Sequence, residues 1–334
     1  MNPLEAEVCV VGAGPAGCLL AGLLARAGCD VLLVGPGRSA PPSRLQSLAP
    51  GAMELLASEG IDLHGVWQRV PIEVRWPTAT PLADPAIAAQ STIVVDRSAF
   101  DTALLAWAAI GGARVLDSRV EKAPLRNGAG SWTVEAPARA VRAANVVNAA
   151  GARSVLGSKR KRLGPRLFGL STEIDIAGGR SGVWVEATSL GWLWAASMGD
   201  SRLTVLTTHH VAPPLREAPD ALCSLLAESS LADLTGDRLR DLDELKPTDL
   251  TATNAAVGDH LAVGDAALTI DPLAGQGLAV ALRSSAQAAD LLLDGTAIVR
   301  TAQEVGRTHS QLAAAYYREA AAHFSSPFWT SRAR

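Results

Sequence analysis

The chain has 334 residues, 48% of them apolar, with a formal net charge of −3. That length buries a large core, as one big domain or two closely packed ones. The charge gives no electrostatic case for a nucleic-acid partner, and the longest apolar run near the start, Ala16 to Ala25, is far short of the roughly 20 residues that cross a bilayer.

The first strand is expected within a few residues of Met1. This leaves no room for a cleavable leader, so a cytoplasmic protein without a membrane partner is expected. Val8 to Val34 then reads VCVVGAGPAGCLLAGLLARAGCDVLLV: an apolar run, a glycine turn, an apolar segment of helical length and a second apolar run. Strand, turn, helix and strand in this order form a dinucleotide site. Gly12 permits the sharp turn, Gly14 lets a pyrophosphate approach the backbone, and Gly17 lets the helix lie close on the strand. Pro15 suits the first helical turn, where its missing N–H costs nothing. The acid that should end the second strand and hold the adenosine ribose is replaced by Gly35, followed by Pro36, Gly37 and Arg38. Two ligands fit this departure: FAD bound without the carboxylate, or NADP with its 2′-phosphate on Arg38. A plain flexible turn with Arg38 in solvent is a third reading.

A proline-rich loop, Ala40 to Pro50, and a helix from Gly51 to Glu59 follow. Arg44 in that loop either reaches the pyrophosphate or is solvated. Val70 to Gln90 reads as strand and loop. Thr92 to Val95 is a strand, Asp96 and Arg97 come next, and a helix runs to Ile110, closed by Gly111 and Gly112. Arg97 therefore stands at a strand end before a helix, where a phosphate contact is favoured. Strands are expected at Ala113 to Val120, Ser131 to Glu135 and Ala140 to Asn148, the last running into the small turn NAAGARS. The basic run Lys159 to Arg162 reads as a solvated loop.

From Arg166 to His210 four alternating stretches separated by turns predict an antiparallel sheet, different in kind from the parallel start. Trp192 and Trp194 are two apart and share one face. They are core packing or an aromatic wall for a planar substrate. His209 ends the last strand, either as an exposed residue or as a substrate contact. Helical, loop-rich sequence occupies Glu217 to Lys246. A short strand, Leu261 to Val263, then leads to Gly264 and Asp265; a loop carries Asp271, Pro272, Gly275, Gln276 and Gly277; a helix continues to about Leu293. Glycines at a helix start again bare backbone N–H groups to an anion or a polarised oxygen, and Asp265 can accept hydrogen bonds from hydroxyls. The rest is helical to about Phe324. The four cysteines and six histidines show no metal-binding spacing, and no GxSxG elbow is present.

GAGPAG near the start together with VGDAALTIDPLAGQGL near the end resembles the FAD-dependent monooxygenases of the glutathione reductase-like FAD fold, which include aromatic hydroxylases, tryptophan halogenases and geranylgeranyl reductases. The resemblance covers most of the chain and selects FAD as the ligand. It implies an α/β fold, a Rossmann-like FAD-binding domain with an antiparallel β-sheet substrate domain and a helical C-terminus. The expected division is 1–65, 92–160 and 251–295 for FAD, 66–91 and 161–250 for substrate, and 296–334 as a C-terminal helical segment. It also implies that Gly12, Gly14, Gly17 and Arg97 hold the pyrophosphate, that Asp265 after Gly264 takes ribitol or ribose hydroxyls, and that Pro272 to Gly277, with Gly275 and Gln276, faces the flavin ring. Gly35 departs from the family pattern.

DPLAGQG with the GWLWAAS strand looks most like the subfamily that matures tryptophan-derived quinone cofactors, whose members oxygenate a tryptophan within a polypeptide. Halogenases are the near neighbour, but Ala196 and Ser197 stand where their WxWxIP motif has isoleucine and proline. Their catalytic lysine lies in the first third of the chain, and here no lysine precedes Lys122. The implied activity is hydroxylation of an electron-rich aromatic, an indole or a tryptophan residue in a peptide or protein, through a flavin hydroperoxide. Trp192, Trp194 and His209 are the candidate substrate wall. No second nucleotide fingerprint is present, so electrons come from transient NAD(P)H docking or a partner flavin reductase. The alternatives are a halogenase, a double-bond reductase that consumes no oxygen, a non-catalytic flavin-binding protein and an NADP dehydrogenase.

Overall fold

The computed structural model describes residues 2–36, 45–77, 90–128, 130–154, 156, 159–176, 179–235, 245, 247–255, 260–294 and 302–333. Arg38 and Arg44 lie outside the described residues. The start is β1 (Leu4–Val11), α1 (Pro15–Arg26) and β2 (Val31–Gly35). Then come β3 (Leu45–Leu48), α2 (Pro50–Ser58), β4 (Trp67–Arg75), β5 (Ser91–Asp96), α3 (Arg97–Ile110), β6 (Arg114–Asp117), β7 (Leu125–Arg126), β8 (Trp132–Val134) and β9 (Val141–Asn148). The middle of the chain gives β10 (Arg160–Arg162), β11 (Phe168–Asp175), β12 (Ser181–Ala187), β13 (Trp192–Met198), β14 (Arg202–His209) and α4 (Ala218–Ala227). It closes with β15 (Thr248–Asp249), β16 (Thr253–Ala255), β17 (Leu261–Ala262), β18 (Leu268–Thr269), α5 (Gly277–Asp294), α6 (Ala302–Ala321) and α7 (Pro327–Thr330).

The first sheet has seven strands in the order β6-β2-β1-β9-β8-β7, with β17 also on β9. β6, β2, β1, β9 and β17 run parallel, β8 pairs antiparallel with β9, and β7 pairs antiparallel with β8. Val8 to Val11 and all of β2 are buried, as expected of unbroken apolar runs in a parallel sheet covered on both faces. One face packs on α1, α3 and α5, where Leu19, Leu20, Leu24, Phe100, Leu104 and Leu282 form the largest core. Gly22 lets α3 come close, since a Cβ there would strike the Trp107 ring.

The second sheet has eight strands, β15-β11-β14-β13-β12-β4-β5-β3. Its β11 to β14 part pairs antiparallel, as the alternating pattern predicts. One pair departs: β12 runs parallel to β4, Val183 opposite Ile72. The two strands are far apart in sequence, and no local pattern specifies their direction. β5 belongs to this second sheet and passes directly into α3, whose first turn is capped by Asp96 accepting from the Ala99 N–H at 2.9 Å. The sheet is covered on one face by α4, through Leu222, Leu225 and Leu226, and on the other by Ala313, Tyr317, Phe328 and Trp329 of α6 and α7. A small antiparallel sheet, β10-β16-β18, completes the structure. No described helix is long and apolar enough to cross a membrane.

Candidate cofactor site

The glycine turn is built as its spacing demands. Gly12 has φ +118°, and a Cβ there would fall on the Ala149 carbonyl oxygen. A Cβ on Gly17 would fall on the Gly12 carbonyl oxygen. Gly14 is different: nothing lies within 4 Å of the position a Cβ would take. It is also the N-cap of α1, makes no side-chain cap and is followed by Pro15. The helix thus opens onto free space with its first N–H groups uncapped by any side chain, an arrangement that binds anions. The NAAG turn lies against it. Buried Asn148 shapes that turn by accepting from the Ala150 N–H at 3.1 Å and the Ser154 hydroxyl at 2.8 Å.

The second motif meets the first. Gly264 has φ +58°, its N–H donates to Ser284 Oγ of α5 at 2.9 Å, and a Cβ there would lie 2.8 Å from the Ala16 Cβ of α1. The Val263 N–H donates to the Asn148 carbonyl at 2.9 Å, which fixes β17 at the end of β9. Asp265 is exposed at the opening. The protein mass around it raises its carboxyl pKa by desolvation, and Arg97 and Arg160 oppose that rise. Arg97 is held by both Asp101 oxygens at 3.0 Å and donates to Gln46 Oε1 at 2.7 Å. The site thus carries two guanidinium groups and two carboxylates, with Arg97 already paired to Asp101.

Arg160 corrects the reading of Lys159 to Arg162 as a solvated loop. Lys159, Lys161 and Arg162 are exposed, but residues 160–162 form β10, and Arg160 turns inward. Its Nε donates to Thr253 Oγ1 at 2.7 Å and its Nη1 to the Ala266 carbonyl at 2.9 Å, clasping the Gly264–Ala266 turn. Its pKa is lowered by burial, with Asp265 opposing. In sequence it is one cation in a run of four, and nothing local separates it from its neighbours: alternation would place Arg162 on the same face, yet Arg162 is exposed.

The loop after Asp265 ends in a second cradle. Asp271 Oδ1 accepts from the Leu273 N–H at 3.0 Å, and the Pro272–Ala274 turn closes with the Gly275 N–H donating to the Pro272 carbonyl at 2.9 Å. Gly275 has φ +62°, a left-handed conformation that favours glycine. Nothing lies within 4 Å of a Cβ position at Gly275 or Gly277, so backbone borders open space up to the start of α5. Pro272 and Gln276, also in this loop, are partly exposed.

The expected substrate wall divides. Trp192 and Trp194 do share a face of β13, but Trp192 is 2% exposed, with its indole N–H donating to the Tyr317 hydroxyl at 3.2 Å. Trp194 stays partly exposed and donates to Ser47 Oγ of β3 at 3.2 Å. The register sets Trp194 opposite Leu206, and alternation from there puts His209 on the other face of the sheet. There it lies 3.0 Å from Thr207 Oγ1, and burial, then the neighbouring His210, lowers its pKa to about 4. At the end of β2, a Cβ on Gly35 would lie 2.6 Å from the Ala13 backbone nitrogen. The missing acid is therefore also missing space. Tyr317 and Arg160 carry no motif of their own and emerge only from the packing, whereas Asn148 opens the NAAGARS turn. Among the described residues no cluster of His, Cys, Asp and Glu could hold a metal ion.

An uncapped helix start at Gly14, the carboxyl of Asp265 and bare backbone beside open space at Gly275 and Gly277 are groups that fit FAD, and the fold that joins them defines an FAD-dependent oxidoreductase. The chain belongs to the FAD binding domain family, whose model matches residues 5–303. It is 27% identical over 322 residues to a menaquinone reductase of Mycolicibacterium smegmatis, covering 87% of this chain and 77% of that protein. It is also 27% identical over 321 residues to a tryptophan 2-halogenase of Chondromyces crocatus, covering 86% of this chain and 61% of the halogenase. Among solved structures, the peptidyl tryptophan dihydroxylase QhpG superposes with a TM-score of 0.83 at 24% identity, over 98% of this chain and 79% of that one. The flavin-dependent halogenase CmlS gives 0.78 at 22%, over 99% and 68%. The cofactor is FAD.

Proposed function

We propose that the protein is a monooxygenase that hydroxylates an electron-rich aromatic substrate, an indole or a tryptophan residue carried in a peptide or protein. The observation that carries this reading is that the Gly264 turn packs on Ala16 of α1, while Leu273 of the glycine-rich loop packs in one cluster with the partly exposed Trp194 of the second sheet. In this reading Gly12, Gly14, Gly17 and Arg97 hold the pyrophosphate, Asp265 takes ribitol hydroxyls, and the backbone from Pro272 through Gly275, Gln276 and Gly277 borders the ring. Residues 1–65, 92–160 and 251–295 form the cofactor part, residues 66–91 and 161–250 the substrate part. Bound and reduced, FAD supplies the two electrons with which dioxygen yields one oxygen atom to the substrate and one to water. The chain's own work is to orient the substrate and exclude water. Trp194 offers the substrate a flat apolar contact, backed by the buried Trp192. NAD(P)H or a partner flavin reductase delivers the electrons, and the setting is the cytoplasm. Support for the tryptophan substrate comes from likeness of fold to QhpG.

The test is incubation with FAD, a flavin reductase, NADH and oxygen, followed by mass analysis of tryptophan peptides and free indoles. A gain of one oxygen supports the proposal, and a chlorine adduct in the presence of chloride overturns it. A second reading, reduction of a quinone-type double bond, is favoured by the 27% identity to the menaquinone reductase. It demands substrate turnover without oxygen consumption, which an oxygen electrode separates from the first.

A further inference from the structure

Three groups from distant parts of the chain form one hydrogen-bonded line: the buried Trp192 indole of β13, the buried Tyr317 hydroxyl of α6 and the partly exposed Asp271 carboxyl of the glycine-rich loop. The Trp192 N–H lies 3.2 Å from the Tyr317 oxygen, which lies 2.9 Å from Asp271 Oδ2, while Asp271 Oδ1 faces the Leu273 N–H at 3.0 Å. An indole N–H and a backbone N–H can only donate. The Tyr317 oxygen therefore accepts from Trp192 and gives its single proton to Asp271, and both Asp271 oxygens accept. A carboxyl group that accepts on both oxygens has one defined orientation. The buried Arg332 stacks over the Phe328 ring at 4.4 Å and bonds the Arg166 carbonyl. Burial raises the Asp271 pKa, and the Leu273 N–H, Tyr317 and Arg332 oppose that rise. The same burial, with Asp271 beside it, keeps the Tyr317 phenol protonated.

We propose that Tyr317 is a positioning residue for the flavin: through Asp271 it locks the Pro272–Ala274 turn, and so the Gly275–Gly277 backbone, in the conformation that receives the ring. This rests on the reading that the ring lies against that backbone. Asp271 has two oxygens and two tasks, one to cap the turn and one to tie it to α6. Without Tyr317 the second oxygen loses its partner and the buried Trp192 N–H is left unpaired, which costs more than the bond that is lost. The loop is then free to turn at Asp271.

The experiment compares the FAD-loaded wild type with Tyr317→Phe, Trp192→Phe, Asp271→Asn/Tyr317→Phe and Gly277→Leu, reading FAD affinity by fluorescence titration and the visible circular dichroism of the bound flavin. Tyr317→Phe should weaken FAD by about tenfold, or about 1.4 kcal/mol, and alter the flavin bands while far-ultraviolet dichroism stays unchanged. Trp192→Phe keeps the Tyr317–Asp271 bond and should change both readouts less, and the double variant should be no worse than about the single one. Unaltered flavin bands and affinity in Tyr317→Phe, with only a lower melting temperature, overturn the proposal and leave a merely structural bond. If Gly277→Leu also leaves the bands unchanged, the ring does not lie on this loop, and the functional reading fails with it. A changed Gly277→Leu beside an unchanged Tyr317→Phe sinks the positioning role alone.

Discussion

Gly264→Ala adds one methyl group where the two halves of the cofactor site touch. Gly264 has φ +58°, and the new Cβ would lie 2.8 Å from the Ala16 Cβ and 3.5 Å from the Ala281 Cβ. A left-handed backbone costs a non-glycine residue about 1–2 kcal/mol, and forcing a methyl into a packed contact adds about 1–3 kcal/mol. Gly275 isolates the first of these, since it has φ +62° with open space around it. Gly275→Ala should therefore lose only about 1–2 kcal/mol, and Gly264→Ala about 2–5 kcal/mol. Urea unfolding of the two variants measures the difference directly. Because Gly264 seats the turn that carries Asp265, its variant should also bind FAD less tightly at temperatures where it remains folded. Ala16→Gly placed in the Gly264→Ala background should recover part of the steric loss. Equal unfolding midpoints for Gly264→Ala and Gly275→Ala would refute the reasoning, because the contact with Ala16 would then carry no energy.

Asp265→Ala should lower FAD occupancy, with a loss of about 1.5–3 kcal/mol for hydrogen bonds to a charged group; unchanged occupancy after dialysis would remove the residue from the site. Gly35→Glu supplies the acid that the nucleotide fingerprint lacks, yet it should not tighten FAD, because its Cβ would lie 2.6 Å from the Ala13 nitrogen; a lower Kd by titration would contradict this. Burial holds the His209 pKa at about 4, against about 6.5 in an unfolded chain. Between those values the unfolded chain takes up the proton first, so its contribution to stability is intact above about pH 6.5 and falls as pH drops toward about 4, by about 3 kcal/mol. Urea titrations at neutral and acid pH should show that fall in the wild type and a shallower one in His209→Asn.

The glycine turn, its flanking strands and the four alternating strands were legible because each depends on residues close in sequence. Gly12, Gly14 and Gly17 need small side chains for local reasons, and period-two alternation reports a half-buried strand wherever it occurs. The parallel pairing of β4 with β12 was not legible, since nothing near Ile72 states that its partner is Val183. Arg160 looked solvated because a run of cations hides the one that turns inward. Trp192 and Trp194 were placed on one face correctly, but which of them is open depends on α6 and α7 arriving from the far end of the chain. Tyr317 was invisible for the same reason: a tyrosine in an amphipathic helix announces nothing until a carboxylate is packed against it.

The pairing of β1 with β9 sets a schedule for synthesis. Glu5 lies opposite Arg142 in the register, 137 positions later. At roughly 5–20 residues per second on the ribosome, β1 waits on the order of ten seconds for that neighbour, with the apolar edge of Val8 to Val11 open on one side. The nascent chain is thus exposed to misassociation for most of its first half, and slow, chaperone-assisted production at reduced temperature is the regime in which this flavoprotein should be recovered intact.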